Sequence, residues 1–185
     1  MNILVTGAAG YIGSHTCRYL AAHGHQIVAY DNLSRGHRQA VERALPNHPF
    51  ILGDLHDVSL LCGTMQQYQI EAIVHFAAFA LVGESVENPE LYHHNNVEGT
   101  RCLIEAAIKE HVQKFVFSST TAIYGEPEMI PITESCPARP ISPYGQTKLD
   151  VEQLLQQAHE KHGLGFAALR YFNAAGADPA GDIGE

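Results

Sequence analysis

The chain opens on "NILVT" (Asn2 to Thr6), a short apolar run, and "GAAGYIG" follows it directly. A buried strand running through glycines into a helix narrows the possible folds more than any other stretch of the sequence. Gly7, Gly10 and Gly13 have GxxGxxG spacing, one residue longer in the first gap than the GxGxxG of dinucleotide sites. Glycine permits the tight turn, lets backbone approach a pyrophosphate, and allows helix to pack on strand. The helix N-terminus adds free N–H groups and partial positive charge.

The rest of the chain repeats the alternation. Apolar runs at "QIVAY", "FILG", "AIVHFAA", "KFVFSS" and "FAALRYF" read as five further strands. Between them lie helical stretches over 11–24, 36–45, 60–68, 89–111 and 142–163, the fourth weakened by Gly99. Continuous apolar strands separated by helices predict an α/β fold with a doubly wound parallel sheet of Rossmann type and helices on both faces. One domain of 185 residues is long enough for a full core.

Charge and composition exclude several roles. The net charge of -9 argues against nucleic acid, whose phosphates need a Lys/Arg surplus. No apolar run approaches the ~20 residues that span a bilayer, and the N-terminus lacks the pattern of a signal peptide. The four cysteines form no CxxC pair and read as reduced thiols, so a cytoplasmic location is expected. The 12 histidines include no HExxH, and no metal site is expected.

Chemistry-bearing residues fall at the carboxyl ends of strands, where open α/β sheets bind ligands. Asp31 ends the second strand, where an acid binds the adenosine ribose hydroxyls and disfavours a 2′-phosphate. Arg35 is near enough to oppose that preference. "GDL" (Gly53 to Leu55) and "HFAA" (His75 to Ala78) follow the third strand and end the fourth. Ser118, Ser119, Thr120 and Thr121 crowd the end of the fifth. The next helix carries Tyr144 and Lys148, which share a face at i and i+4. An ammonium ~4 Å from a phenol, at an effective dielectric of ~20, contributes ~4 kcal/mol. That predicts a phenol drawn about three units down from its usual ~10, toward useful acid/base strength.

Taken in order, TGxxGxxG, Asp, GDL, HFAA, SST and YxxxK resemble the extended short-chain dehydrogenase/reductase superfamily. Within it, "ILVTGAAGYIGSHT", "DNLSRGH", "HFAAFALVGESV", "NNVEGT", "FSSTTAIYGEP", "SPYGQTKLDVEQ" and "LRYFNAAGADP" are most similar to the UDP-glucose 4-epimerases, across nearly the whole chain. The resemblance implies NAD as cofactor, a UDP-hexose as substrate, and epimerisation through a 4-keto sugar. Tyr144 would be the base, Lys148 would hold the nicotinamide ribose and tune the phenol, and Thr120 would bind the sugar O4, with its neighbouring hydroxyls as alternatives. Gly7, Gly10 and Gly13, with Tyr11 and Ile12, would cradle the pyrophosphate. Asp31 and Asn32 would hold the adenosine ribose, Asp54 and Leu55 would flank adenine, and Phe76, Ala77 and Ala78 would line the groove. Asn95 or Asn96 and Tyr171 would contact the cofactor, and Asn173 the nucleotide sugar.

Two departures bear on that resemblance. Ala80 stands where some epimerases carry a lysine, which removes one cofactor contact. Thr121 and Ala122 stand where sugar-nucleotide 4,6-dehydratases carry an Asp-Glu pair, and neither can serve as acid or base. Other UDP-sugar 4-epimerases and a non-catalytic NAD-binding module are the alternative readings. Members of the family continue past "GADPAGDIGE", so residues 1–185 would hold the NAD-binding domain, with the sugar-nucleotide domain absent and turnover impaired. Helices around 90–111 and 144–162 resemble those that pair two epimerase subunits. Val97, Leu103, Ile104, Leu154 and Leu155 offer apolar surface for a homodimer.

Overall fold

A computed structural model describes residues 1–184. Six strands form one parallel sheet: β1 (Asn2–Thr6), β2 (Gln26–Asp31), β3 (Phe50–Leu52), β4 (Ala72–His75), β5 (Lys114–Thr120) and β6 (Gly165–Tyr171). Their order is β3-β2-β1-β4-β5-β6, so the chain winds outward from β1 in one direction and then crosses back to β4. The crevice of such a sheet opens where the winding reverses, between the carboxyl ends of β1 and β4. Thr6 there pairs with Tyr30 of β2 on one side and His75 of β4 on the other.

The helices are α1 (Tyr11–Ala22), α2 (Arg38–Ala44), α3 (Val58–Gln67), α4 (Val82–Glu87), α5 (Pro89–Tyr92), α6 (Gly99–Lys109) and α7 (Pro143–His162). Local chemistry sets their ends. Asp57 caps α3 by accepting from the Leu60 amide at 2.9 Å. Ser142 caps α7 through the Gly145 amide at 3.1 Å, Pro143 occupies the first turn, and left-handed Gly163 closes the helix.

Successive strand residues serve two cores, as the period of two requires. Leu4, Ile73, Phe115 and Phe117 pack with Leu61, Leu103, Val151 and Leu155 of α3, α6 and α7. Ile3, Val5 and Ile27 pack with Cys17 and Val41 of α1 and α2. Each fully buried aliphatic side chain contributes roughly 1.5–3 kcal/mol.

The structure departs from the sequence expectation in three places. The helix predicted over 89–111 contains a π-helical segment, His93–Glu98, between α5 and α6. Helix α4 was not predicted, because Gly83 and the short span "VGESVE" hide its periodicity. Val97, Leu103, Ile104 and Leu155, expected at a subunit interface, are instead buried within this chain, and Leu154 packs partly against the same core. Most of the apolar surface expected on those helices is thus covered within the chain, while Leu154 keeps part of its surface in an outer groove.

No helix among the described residues is long and apolar enough to cross a membrane. Cys17, Cys62, Cys102 and Cys136 are all free thiols.

Candidate active site

The glycine loop divides its work. Gly7 has φ +72°, and a Cβ there would lie 2.5 Å from the Ala77 amide nitrogen, so only glycine lets β1 turn against the end of β4. At Gly13 a Cβ would approach the Gly7 carbonyl oxygen to 2.0 Å, which fixes the packing of α1 on the loop. Gly10 is different: a Cβ would meet only the Gly7 carbonyl, at 3.4 Å. Its open side faces the crevice, and the first turn of α1 carries no acidic residue to compete with a bound anion.

Two cavities meet over this loop. Both are lined by Gly7, Gly10, Phe76 and Ala78. One extends past Asp31, Asn32, Asp54, Leu55, Ala77 and Asn95, and the other past Tyr11, Ile12, Gly13, Thr120, Tyr144, Lys148, Tyr171 and Asn173. Together they form a continuous groove with carboxylates at one end and a hydroxyl, a phenol and an amine at the other. Every residue expected to bind cofactor or substrate lies along it. That donor set fits a dinucleotide, with ribose acceptors at one end, anion-binding backbone in the middle and acid/base groups at the far end.

At the first end, Asp31 is buried and accepts from the Ala9 amide (2.9 Å) and the Leu33 amide (2.7 Å). It therefore braces the glycine loop as well as facing the cavity. Asp54 accepts from Asn32 at 2.8 Å and from the His56 amide at 3.0 Å. Burial pushes the Asp54 carboxyl up, but the His56 amide, the Asn32 amide group and the His56 ring outweigh it and hold it below its usual range. Of the two neighbouring asparagines, Asn95 lines the cavity. Asn96 is buried with its amide spanning the Phe79 backbone, accepting from the Phe79 N–H (2.8 Å) and donating to its carbonyl (2.9 Å).

At the far end, the four adjacent hydroxyls separate. Ser119 donates to buried Glu152, which also holds Arg170 through several hydrogen bonds. Ser118 pairs with the Tyr171 hydroxyl. Thr120 accepts from the Ala122 amide at 3.1 Å, and its hydroxyl also faces the Tyr144 phenol. Tyr144 is set by its backbone: its amide donates to Ser85 Oγ of α4 at 3.2 Å, and its carbonyl accepts from Thr147 at 2.7 Å. Ser85 and Glu152 were not singled out from the sequence. The first sits on a helix that was not foreseen, and the second reads as an ordinary polar position on the long α7.

Lys148 is 3% exposed, donates from Nζ to the Ser118 carbonyl at 2.9 Å and lies 4.8 Å from the Phe117 ring centre. Burial lowers its pKa to about 7. Its Nζ is 5.8 Å from the Tyr144 ring centre. Burial raises the Tyr144 phenol above its usual value; the nearby Thr120 hydroxyl works the other way and Tyr171 adds to the rise. The expected three-unit drop is thus absent in the protein alone. The amine is turned toward the Ser118 carbonyl and the Phe117 ring rather than the phenol, and burial sets the direction of the shift.

Comparison with known proteins agrees with this groove. Residues 3–184 match the NAD dependent epimerase/dehydratase family. The UDP-glucose 4-epimerase of Halalkalibacterium halodurans is 50% identical over 185 residues, covering all of this chain and 54% of the relative. The crystal structure of the Brucella ovis UDP-glucose 4-epimerase in complex with NAD superposes with a TM-score of 0.96 at 48% identity, over 100% of this chain and 55% of that one. The Stenotrophomonas maltophila UDP-glucose-4-epimerase, with bound NAD and formylated UDP-arabinopyranose, gives 0.97 at 40% identity, over 100% and 56%. The chain spans about half the length of the curated relatives it matches. Matched by the family model over residues 3–184 and by relatives about half identical over its whole length, the chain belongs to the NAD dependent epimerase/dehydratase family.

Proposed function

We propose that this chain provides the NAD-binding and proton-transferring half of a UDP-sugar 4-epimerase, acting on UDP-glucose and UDP-galactose. The observation that carries the reading is the single groove joining Asp31 to Tyr144 across the glycine loop.

When bound, NAD supplies a reversible hydride acceptor for C4 of the sugar. The protein's residues do the rest. Amides at the start of α1 hold the pyrophosphate, and Asp31 accepts from the adenosine ribose hydroxyls. Thr120, beside the phenol, donates its hydroxyl proton to O4 once the sugar is bound. Tyr144 takes the 4-hydroxyl proton as the carbonyl forms and returns it when the opposite face is reduced. Lys148 binds the nicotinamide ribose and supplies positive charge near the phenol. Asn173 borders the sugar side and would contact the nucleotide sugar.

A two-fold homodimer is part of the proposal, though with less apolar surface than the sequence suggested. It would use the outer groove between α6 and α7, where Ile108 and Leu154 lie among Arg101, Glu105 and Lys161.

The test combines calorimetry with a sugar panel. NAD should bind more tightly than NADP, and among UDP-sugars the protein should act first on UDP-glucose and UDP-galactose. Failure to bind NAD, or activity confined to a UDP-pentose, would replace this reading.

A further inference from the structure

Asp31 is not free to exclude a 2′-phosphate by itself. Both of its oxygens already accept backbone amides, which offset part of its charge. Four residues on, Arg35 lines the same cavity as Asp31, Asn32 and Ser34. An arginine in that place ordinarily favours a 2′-phosphate through a charge-assisted fork. Here it is turned elsewhere. Its Nη2 donates to Glu84 Oε1 of α4 at 2.5 Å, and its guanidinium lies 4.8 Å from the Phe79 ring centre.

Glu84 is itself held. Its other oxygen accepts from the Tyr92 hydroxyl at 2.8 Å, and Tyr92 is fully buried and also takes the Leu81 amide at 3.0 Å. The loop that carries Arg35 is fixed too: Leu33 and Ser34 donate to Asp31 and Asn32, and Gly36 packs so closely on Ala9 that a Cβ would lie 2.7 Å away. The side chain of Arg35 is therefore the part of this wall able to change direction.

We infer that Glu84 is a specificity-determining residue acting through Arg35: by pairing the guanidinium across the groove, it keeps the adenosine end selective for a dinucleotide without a 2′-phosphate. Glu84 touches neither cofactor nor substrate in this account, so it is a positioning residue. The inference rests on the proposed binding of NAD.

The experiment measures dissociation constants of NAD and NADP by calorimetry for wild type, Glu84→Gln and the double variant Arg35→Gln/Glu84→Gln. Glu84→Gln should shift the NADP-to-NAD affinity ratio toward NADP by about tenfold, equivalent to about 1.4 kcal/mol. The double variant should return the ratio to the wild-type value. Two results overturn the inference while leaving the NAD reading intact: a ratio unchanged in Glu84→Gln, or a gain that survives in the double variant. The second would mean that the charge of Glu84, rather than the direction of Arg35, excludes the phosphate. A wild-type protein that binds neither dinucleotide overturns both.

Discussion

Tyr144 and Lys148 share one face of α7, and that much is legible from spacing alone. Their electrostatics are not. An i, i+4 pair predicts proximity, but the amine is 3% exposed and bonded to the Ser118 carbonyl, and neither fact is written in the spacing. Burial lowers the amine to about 7 and raises the phenol, so each group is biased toward its neutral form in the protein alone. The proposed chemistry therefore relies on bound partners to favour the charged forms. Replacing the phenol isolates its role. Tyr144→Phe should lower turnover in a catalytically complete form by roughly 10²–10⁴. NAD affinity, measured by calorimetry, should be nearly unchanged, since the proposed role of the phenol is at the sugar O4. Near-normal turnover would remove Tyr144 as the base. The four hydroxyls before it teach the same lesson. The sequence shows them crowded, and only the packed structure shows that Glu152 and Tyr171 occupy two of them.

Helices and strands show where periodicity stops being informative. The run over 89–111 has helical periodicity, and the backbone is helical from Pro89 to Lys109. Its middle turn is nevertheless π-helical, with Thr100 donating to the Asn96 carbonyl at 2.5 Å. Behind it stands His75, 1% exposed, with Nδ1 2.6 Å from the Thr6 hydroxyl and Nε2 2.8 Å from Thr100 Oγ1. Thr100 gives its proton to Asn96, so it accepts from His75 Nε2, and Thr6 donates to Nδ1. One neutral imidazole thus ties β1 and β4 to α6. Burial first, and then the Lys148 charge, lower its pKa to about 3. The sign follows from linkage. As pH falls through the usual histidine value of ~6.5, the unfolded chain takes up a proton and the folded chain does not, so stability is lost until about pH 3. His75→Gln should flatten that loss. Between pH 6.5 and 4, wild type should lose about 2–3 kcal/mol more than the variant in urea unfolding. Parallel losses would mean that the imidazole is not held neutral.

For the whole molecule, alternation of apolar runs and helices is enough to specify a parallel sheet, and the glycine loop after β1 specifies where its crevice opens. What a linear pattern does not contain is how each outer surface is used. Of the residues expected to pair two subunits, Leu103, Ile104 and Leu155 lie in the core beneath α6 and α7, Val97 is buried elsewhere in the chain, and Leu154 is only partly covered. At the sugar end of the groove the balance is reversed. Leu81, Val82 and Phe172 are 60%, 48% and 70% exposed, and Asn173 beside them is exposed as well. A wall this open admits water and gives a nucleotide sugar few fixed contacts. Correct placement of reacting groups can supply ~7–11 kcal/mol of a barrier, and placing C4 beside a hydride acceptor depends on holding both ends of the substrate. The cofactor end needs no such help, because Asp31, Asp54 and the glycine loop are already braced by their own hydrogen bonds. A polypeptide of these 185 residues should therefore bind NAD yet interconvert UDP-glucose and UDP-galactose at least about 10²-fold more slowly than a full-length relative such as the Halalkalibacterium halodurans enzyme. A coupled assay on both proteins, with NAD occupancy measured in parallel, decides the matter. Comparable turnover would show that the braced half of the groove positions the sugar by itself.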